Sequence, residues 1–384
     1  MQPRIAIIGG GIGGLTAAIA LRQRGFDAQV YEQAPALEEV GAGVGLWPNA
    51  LRALGSLGLA GKVIGLGGDL RGSGIKRPDG TWLLYQPQDL MRKRWGAGFT
   101  AVHRAELQQL LAAQLDPAAL HLGACCAGFA DNGTDVTVRF AGGREVAADV
   151  LIGADGVHSV VRAALLGPAP LRYRGYTGVR SLTPAGSVPL PRDGIETWGR
   201  GCRFGVAPAS GDRIIWYAAW NSPEAADDGG TARAFLRRRF AAWHDPVAAV
   251  IEATPEAAII RTYVYDRLPA RTWARGRVAL LGDAIHPMTP DLGQGACQAI
   301  VDATVLAACL AQARDVPAAL AAYQQRRWRN AAVTTVLARV FGGIGQWEGR
   351  LACLARNSML RATPLAVQFR QLDAVIGRAA SPAG

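Results

Sequence analysis

"RIAIIGGGIGGLTAAIAL" (residues 4–21), followed by "AQVYE" (residues 28–32), decides the fold. An apolar strand runs into a stretch in which five of six residues are glycine, an alanine-rich helix leaves it, and a second strand ends on an acid. Gly9, Gly11 and Gly14 stand in G-x-G-x-x-G spacing: the first allows a tight turn, the second the close approach of a pyrophosphate, the third the packing of helix on strand. The helix N-terminus then offers unpaired amides and a positive dipole end to phosphates. Glu32 sits where a carboxylate can accept hydrogen bonds from ribose hydroxyls. Glycines alone would mean only a tight turn. With strand, helix, strand and acid in place they predict a dinucleotide-binding βαβ unit. The same residues mimic a signal peptide, a basic residue before an apolar run, but the glycines argue against one.

A chain of 384 residues, 50% hydrophobic, is long enough for two interleaved domains. The net charge of +11 comes almost wholly from arginine, since the lysines are Lys62, Lys76 and Lys93 alone. It is scattered along the chain, so it suits a phosphorylated cofactor better than nucleic acid, for which there is no basic arm or motif. Cysteines 125, 126, 202, 297, 309 and 353 form no C-x-x-C pair and no zinc spacing with histidine. Reduced thiols in a cytoplasmic protein, with no metal site, are expected. The apolar stretch 295–311 carries Asp302 and opens on a glycine turn, so it reads as a buried helix and no membrane span is expected.

Along the chain, "KRPDGTWLLY" reads as a hairpin turning at Asp79 and Gly80, "HRAELQQLLAAQL" as an amphipathic helix, and residues 171–270 as short aromatic-rich strands of an antiparallel layer. Residues 295–377 are mostly helical, before the tail "RAASPAG". The expected fold class is α/β: a Rossmann-like dinucleotide-binding domain (residues 1–70, 98–170 and 271–330) interleaved with an antiparallel-sheet substrate domain (71–97 and 171–270), then a C-terminal helical region (331–384).

Two distant segments say which dinucleotide. "GADGVHSVVR" (153–162) places an Asp155-Gly156 turn before Ser159 and Arg162. "LLGDAIHPMTPDLGQGACQAI" (280–300) places Asp283 at a strand end, prolines at 287 and 290, and a glycine turn opening a helix. With the first motif these resemble the G-x-G-x-x-G, DG and GD motifs of the class A flavoprotein aromatic hydroxylases, the para-hydroxybenzoate hydroxylase-like monooxygenases. The match in order and spacing runs from residue 4 to about residue 330.

The resemblance implies non-covalent FAD and an NAD(P)H- and dioxygen-dependent monooxygenase that attacks an aromatic or heteroaromatic ring through a flavin C4a-hydroperoxide. NADPH or NADH would visit only transiently, since no second dinucleotide motif exists. Asp283 resembles the acid that binds the ribityl chain. Gly293, Gln294, Gly295, Ala296 and Cys297 resemble the turn and helix start that hold the isoalloxazine, where amides can stabilise negative charge on reduced flavin. Gly13 and Gln33 join Gly9, Gly11, Gly14 and Glu32 as cofactor contacts, Arg104 resembles the arginine reaching the pyrophosphate or ribityl region, and Gly45 and Ala127 match positions where backbone touches the cofactor. His286 and Pro290 are the candidate catalytic residues, with no acid or base assigned. The family's Glu-Asp-Ala reads Val301-Asp302-Ala303 here, and its Tyr-Glu reads Tyr323-Gln324, which puts local ion pairs in doubt. For substrate the candidates are Arg203, Trp216 and Met288, with Arg203 expected to pair with a carboxylate or phenolate. A reductase of the same fold and a flavin-bearing small-molecule-sequestering protein are the alternatives. A monomer or a homodimer fits equally.

Overall fold

The computed structural model describes residues 3–37, 43–186, 188–226 and 229–377, so the tail "RAASPAG" lies outside the described residues. The decisive stretch forms the strand Arg4–Ile8 and the helix Ile12–Arg22. Ile5 to Ile8 are all buried, as a strand covered on both faces must be. The strand pairs in parallel with Asp27–Tyr31 on one side and Val150–Gly153 on the other. The six-stranded sheet runs Ala274–Arg275, Val278–Leu280, Val150–Gly153, Arg4–Ile8, Asp27–Tyr31, Leu120–His121, with only the first of these antiparallel to its neighbour. Thus the three motifs, far apart in sequence, end on adjacent strands.

The helix Gly295–Gln312 packs on the helix Ile12–Arg22 and under Val316–Gly345. By length and composition it could cross a membrane, but Cys297, Ile300, Ala303, Leu306 and Ala307 are fully buried in the core, as expected of a core helix. A methyl on Gly13 would come within 2.7 Å of Leu281 and 3.2 Å of Ala299, so the N-terminal turn and the 280–300 segment are built against each other. All six cysteines are free, and no group of three His, Cys, Asp or Glu among the described residues could hold a metal ion.

A seven-stranded sheet forms the second layer, in the order Ile260–Asp266, Arg172–Pro184, Arg213–Asn221, Cys202–Ala209, Asp193–Trp198, Gly72–Lys76, Trp82–Pro87. Every pairing is antiparallel except that of Asp193–Trp198 with Gly72–Lys76. Alternation along the strands separates two faces. The back face gathers Val179, Phe204, Val206, Ile214, Trp216, Ala218 and Trp220 into a core with Leu236, Phe240, Val250 and Ile251 of two covering helices. Trp216, expected beside the substrate, belongs here. Its ring stacks on Phe204 with centroids 5.3 Å apart, and its indole N–H donates to Thr183 and Thr254 at 3.0 Å. The reason is parity: Trp216 shares the direction of Ile214 and Ala218, and the next residue, Tyr217, points the other way.

Candidate active site

Each glycine of the first motif has its own reason. Gly9 has φ +109°, and a side chain there would meet the Ala154 carbonyl at 2.4 Å. One on Gly14 would strike the Gly9 carbonyl at 2.0 Å. Gly11, the residue preceding the helix, borders open space instead. The protein itself demands two of these glycines, while the third leaves a gap before unpaired helix amides, which is the cradle a pyrophosphate requires. Glu32 is aimed into this turn: its carboxylate accepts from the amides of Gly10 at 2.6 Å and Ala34 at 2.9 Å. A carboxylate has acceptor capacity beyond these two bonds for ribose hydroxyls. Gln33 beside it is exposed, and Ala127 is exposed on the strand Cys126–Asp131.

The second wall of the cleft comes from residues 282–297. Asp283 is open to solvent yet enclosed by surrounding protein, the combination found at the floor of a recess. Burial pushes its pKa up, and His286 and Arg104 pull it partly back. Such a carboxylate, desolvated and without a protein partner among the described hydrogen bonds, suits a ribityl hydroxyl donor. Gly293 takes φ +59°, turning the chain into the helix that opens at Gly295, where a methyl would lie 3.7 Å from Asp283 Oδ1. Gln294 is buried and its side-chain oxygen accepts from Asn49 and Gln298, so its own amide nitrogen and those of Gly295 and Ala296 are what it leaves for a ligand. Cys297 is a packing residue: fully buried, its sulfur lies against the carbonyls of Gly45 and Gly293, and burial pushes the thiol up to about 12. Gly45 is held tight by the Phe99 ring, which a methyl there would meet at 2.8 Å.

His286 does not face the cleft as a free base. It is buried, and its Nε2 lies 2.6 Å from Asp302, which also accepts from Arg327 Nε at 2.7 Å and the Gly282 amide at 3.2 Å. Burial opposes the Asp302 charge, but His286 and Arg327 outweigh it and hold the carboxyl below its usual range. Val301 and Gln324, where the family has acids, form no ion pair: the buried charge is carried by Asp302 between them, and Gln324 accepts from the amides of Trp273 and Ala274. This buried set braces the turn that carries Asp283. Asp155 likewise braces: it accepts from Ser159 Oγ at 2.5 Å and the Val161 amide at 3.1 Å, while Ser159 caps the following helix through the Arg162 amide.

The front face of the seven-stranded sheet meets this wall through Arg203. Its guanidinium is buried and partnered at each of its three nitrogens: it donates to Asp291 and, at 3.2 Å each, to Glu196 and Gln346, and it lies over the Tyr176 ring. Burial disfavours its charge, but Asp291 and Glu196 raise its pKa nonetheless. Asp291 also accepts from the Tyr176 hydroxyl at 2.6 Å. Glycines make the room, since a methyl on Gly342 would strike Asp291 at 2.1 Å and one on Gly205 the Tyr217 ring at 2.1 Å. Tyr217 is 38% exposed in the middle of the sheet, so open ground lies over it. Burial by the surrounding walls, then Glu196, push its phenol pKa well up. Met288 is half-buried and Pro290 exposed, in the same segment as Asp291. Two surface notches of about 310 and 300 Å³, one lined by Ile19, Arg22 and Lys62 and the other by Arg271 and Trp328, lie off this seam and hold none of these groups.

Sequence reasoning placed Arg203 on this face but missed Glu196, Asp291, Tyr176 and Tyr217. Tyr217 was legible by alternation from Arg203's neighbours, and Asp291 lay inside a quoted motif. Glu196 carried no local signal.

The family model described as "FAD binding domain" matches residues 3–338. The chain is 43% identical over 358 residues to the aurachin C monooxygenase/isomerase of Stigmatella aurantiaca, covering 93% of each chain. It is 38% identical to the 3-amino-4-hydroxybenzoate 2-monooxygenase of Streptomyces cremeus, over 94% of this chain and 92% of that one. Among solved structures, Klebsiella pneumoniae HpxO complexed with FAD and uric acid superposes with a TM-score of 0.90 at 33% identity, covering 99% of this chain and 98% of that chain. The cradle and the recess fit FAD on their own geometry, and with these likenesses the chain belongs to the class A FAD-dependent aromatic hydroxylases and is an FAD-dependent monooxygenase.

Proposed function

We propose that the ground over Tyr217 receives an aromatic or heteroaromatic ring bearing hydroxyl or ring N–H donors and no carboxylate, and that the protein oxygenates it at the expense of NADPH or NADH. The observation that carries this is the charge immediately around Arg203. Two carboxylates, Glu196 and Asp291, already meet its guanidinium. A substrate carboxylate would add a third negative charge to a desolvated site, where like charges repel strongly. The expectation that Arg203 pairs with the substrate's own acid is therefore replaced: its partners are internal. The relatives differ on this point, one being named for an aminohydroxybenzoate and another having been solved with uric acid, and the charge around Arg203 supports the choice of a ring without a carboxylate.

Glu32, Asp283, the Gly11 gap and the amides of residues 294–296 would hold FAD, which would supply the redox and oxygen chemistry. The chain's own groups position and polarise. Asp291 and Arg203 lock the 282–297 wall to the sheet, so the ring and the cofactor segment keep a fixed spacing. Glu196 and Tyr217 offer hydrogen bonds to the ring's O–H or N–H, and an acceptor there raises the electron density of the ring that is to be attacked. The filled pocket excludes water. The reading takes the protein as a cytoplasmic monomer or homodimer.

Denatured protein should release FAD. The test is a screen of phenols, hydroxypyridines and lactam-type heteroaromatics, each with its carboxylated counterpart, for oxygen-dependent NAD(P)H oxidation and a product carrying one added oxygen atom. A neutral ring should be preferred at least tenfold in kcat/KM; a preference for the carboxylated member of the pairs refutes the charge argument.

A further inference from the structure

The helix Val316–Gly345 is inverted over its second half. There its buried side carries Ala331, Thr334, Thr335, Ala338, Gly342 and Gly345. Two of these have to be small, because a methyl on Gly342 would strike Asp291 and one on Gly345 would come within 3.1 Å of Arg203. The large apolar residues point the other way: Val333, Val336, Leu337 and Val340 are exposed, at the three- and four-residue spacing of one helix face. An ordinary surface helix turns such a stripe to the core. The helix Arg350–Ala362 repeats the inversion. It buries Cys353 and Arg356, whose guanidinium donates to the carbonyls of Gly345 and Gly199, and it exposes Leu351, Leu354 and Met359, Leu351 to 80%. Trp347 stands exposed in the turn between the two helices.

Among the described residues, nine of the fifteen exposed large hydrophobic side chains fall between positions 333 and 367, so this is one patch and not the usual scatter of single residues. Exposed apolar ground gathered in this way marks an interaction surface. Its charge says which kind. Residues 316–372 hold eight arginines and a single acid, Glu348. That acid is turned to the sheet, where its carboxylate accepts from Asn221 at 2.7 Å. Arg326, Arg329, Arg350 and Arg361 are exposed and flank the two stripes. A two-fold axis through this face would set the arginines of one copy against those of the next, with Glu348 as the one acid to meet them. Arginines punctuate both helices, so neither is suited to span a bilayer. An apolar stripe flanked by arginine instead fits the headgroup region of an anionic bilayer, apolar side chains inward and guanidinia on the phosphates.

We propose that the outer face of the helices Val316–Gly345 and Arg350–Ala362 docks the protein reversibly on an anionic lipid bilayer, with Val336, Val340, Trp347, Leu351 and Leu354 in the interface and the flanking arginines on lipid phosphates. The docking is peripheral and does not depend on which ring the protein oxygenates.

The experiment sediments the purified holoprotein with vesicles of phosphatidylcholine alone and with vesicles of phosphatidylcholine and phosphatidylglycerol in equal parts. Binding should favour the mixed vesicles and fall as salt is raised, since screening removes the attraction between exposed charges. Leu351→Gln combined with Leu354→Gln should weaken it by at least about tenfold, the effect of losing leucine burial. Arg350→Gln combined with Arg361→Gln should weaken it about fivefold for each arginine. Leu268→Gln, at a similarly exposed leucine outside these helices, should leave binding unchanged. FAD content and thermal unfolding, followed in every variant, should match wild type because the substituted side chains are exposed. Absence of sedimentation with the mixed vesicles, equal sedimentation with both kinds, or binding that neither the leucine pair nor the arginine pair weakens overturns the proposal. So does a lipid-free dimer in light scattering that the leucine pair turns into a monomer while vesicle binding persists, since the face would then belong to a second copy.

Discussion

The two faces of the seven-stranded sheet come from the same strands and differ at every other residue. On the back, Phe204, Trp216 and Trp220 sit in an apolar core, and the Trp216 indole N–H is met by two threonines. On the front, Arg203, Glu196 and Tyr217 stand on neighbouring strands, with Gly205 hollowed out beneath the phenol. The back is built by burying area, and its tolerance is set by volume. The front is built by matching charge, and its tolerance is set by whether every buried ion keeps its partner. A strand can therefore serve stability with one side and chemistry with the other, and the two should fail differently.

The largest effect tests the back. Trp216→Ala should cost about 3–5 kcal/mol in denaturant unfolding, the usual range for removing a large buried aromatic. Flavin content and KM per folded chain should not move; a changed KM would mean that the two faces are not separate. Arg203→Met on the front should lose a similar amount, about 3–5 kcal/mol, because it strands two carboxylates. Unlike the tryptophan variant it should also lose turnover and raise uncoupled peroxide. Its deficit should depend on pH in a definite sense. Glu196 already has a folded pKa raised above its ordinary 4.5, by burial that Arg203 partly offsets. Without the cation that pKa rises further. A raised folded pKa means stability present below the unfolded value and lost as pH climbs through the folded one. Unfolding measured across a pH series should show the gap between variant and wild type widening as pH climbs through the wild-type folded pKa of Glu196, above 4.5; a gap that narrows with rising pH would break the account.

The cofactor recess offers the next comparison, between two aspartates at strand ends. Asp283→Ala removes a charged acceptor and should weaken FAD by about 1.5–3 kcal/mol, tenfold to hundredfold by equilibrium dialysis. Asp155→Ala removes a turn and cap, worth about 1 kcal/mol of stability, and should leave flavin content alone. Equal flavin loss in both would erase the distinction. The smallest effect sharpens the first comparison. Gly205→Ala forces a methyl against the Tyr217 ring and should cost about 1–3 kcal/mol, with the phenol displaced and the preference for neutral rings weakened. A variant as stable and as selective as wild type would show that the hollow is not needed.

The sequence by itself determined the nucleotide cradle, because its causes are local: the turn at Gly9 to Gly14, the helix behind it and the acid at the end of the next strand all follow from spacing within one βαβ unit. It also determined that Asp283 ends a strand, that a glycine turn opens the helix at Gly295, and that Arg203 and Phe204 diverge, since strand parity is a period of two. Parity could have reached Tyr217 as well; the aromatic richness of "RIIWYAAWN" drew the choice to Trp216, one residue off. Only the tertiary structure decided what Arg203 is for. Its partners, Glu196 on the adjoining strand and Asp291 in a turn of the other layer, are brought together by strand order and by the packing of one layer on the other. Charge pairing across layers depends on distances that no local pattern encodes, and in a buried site those pairings set the sign of the field that a substrate meets.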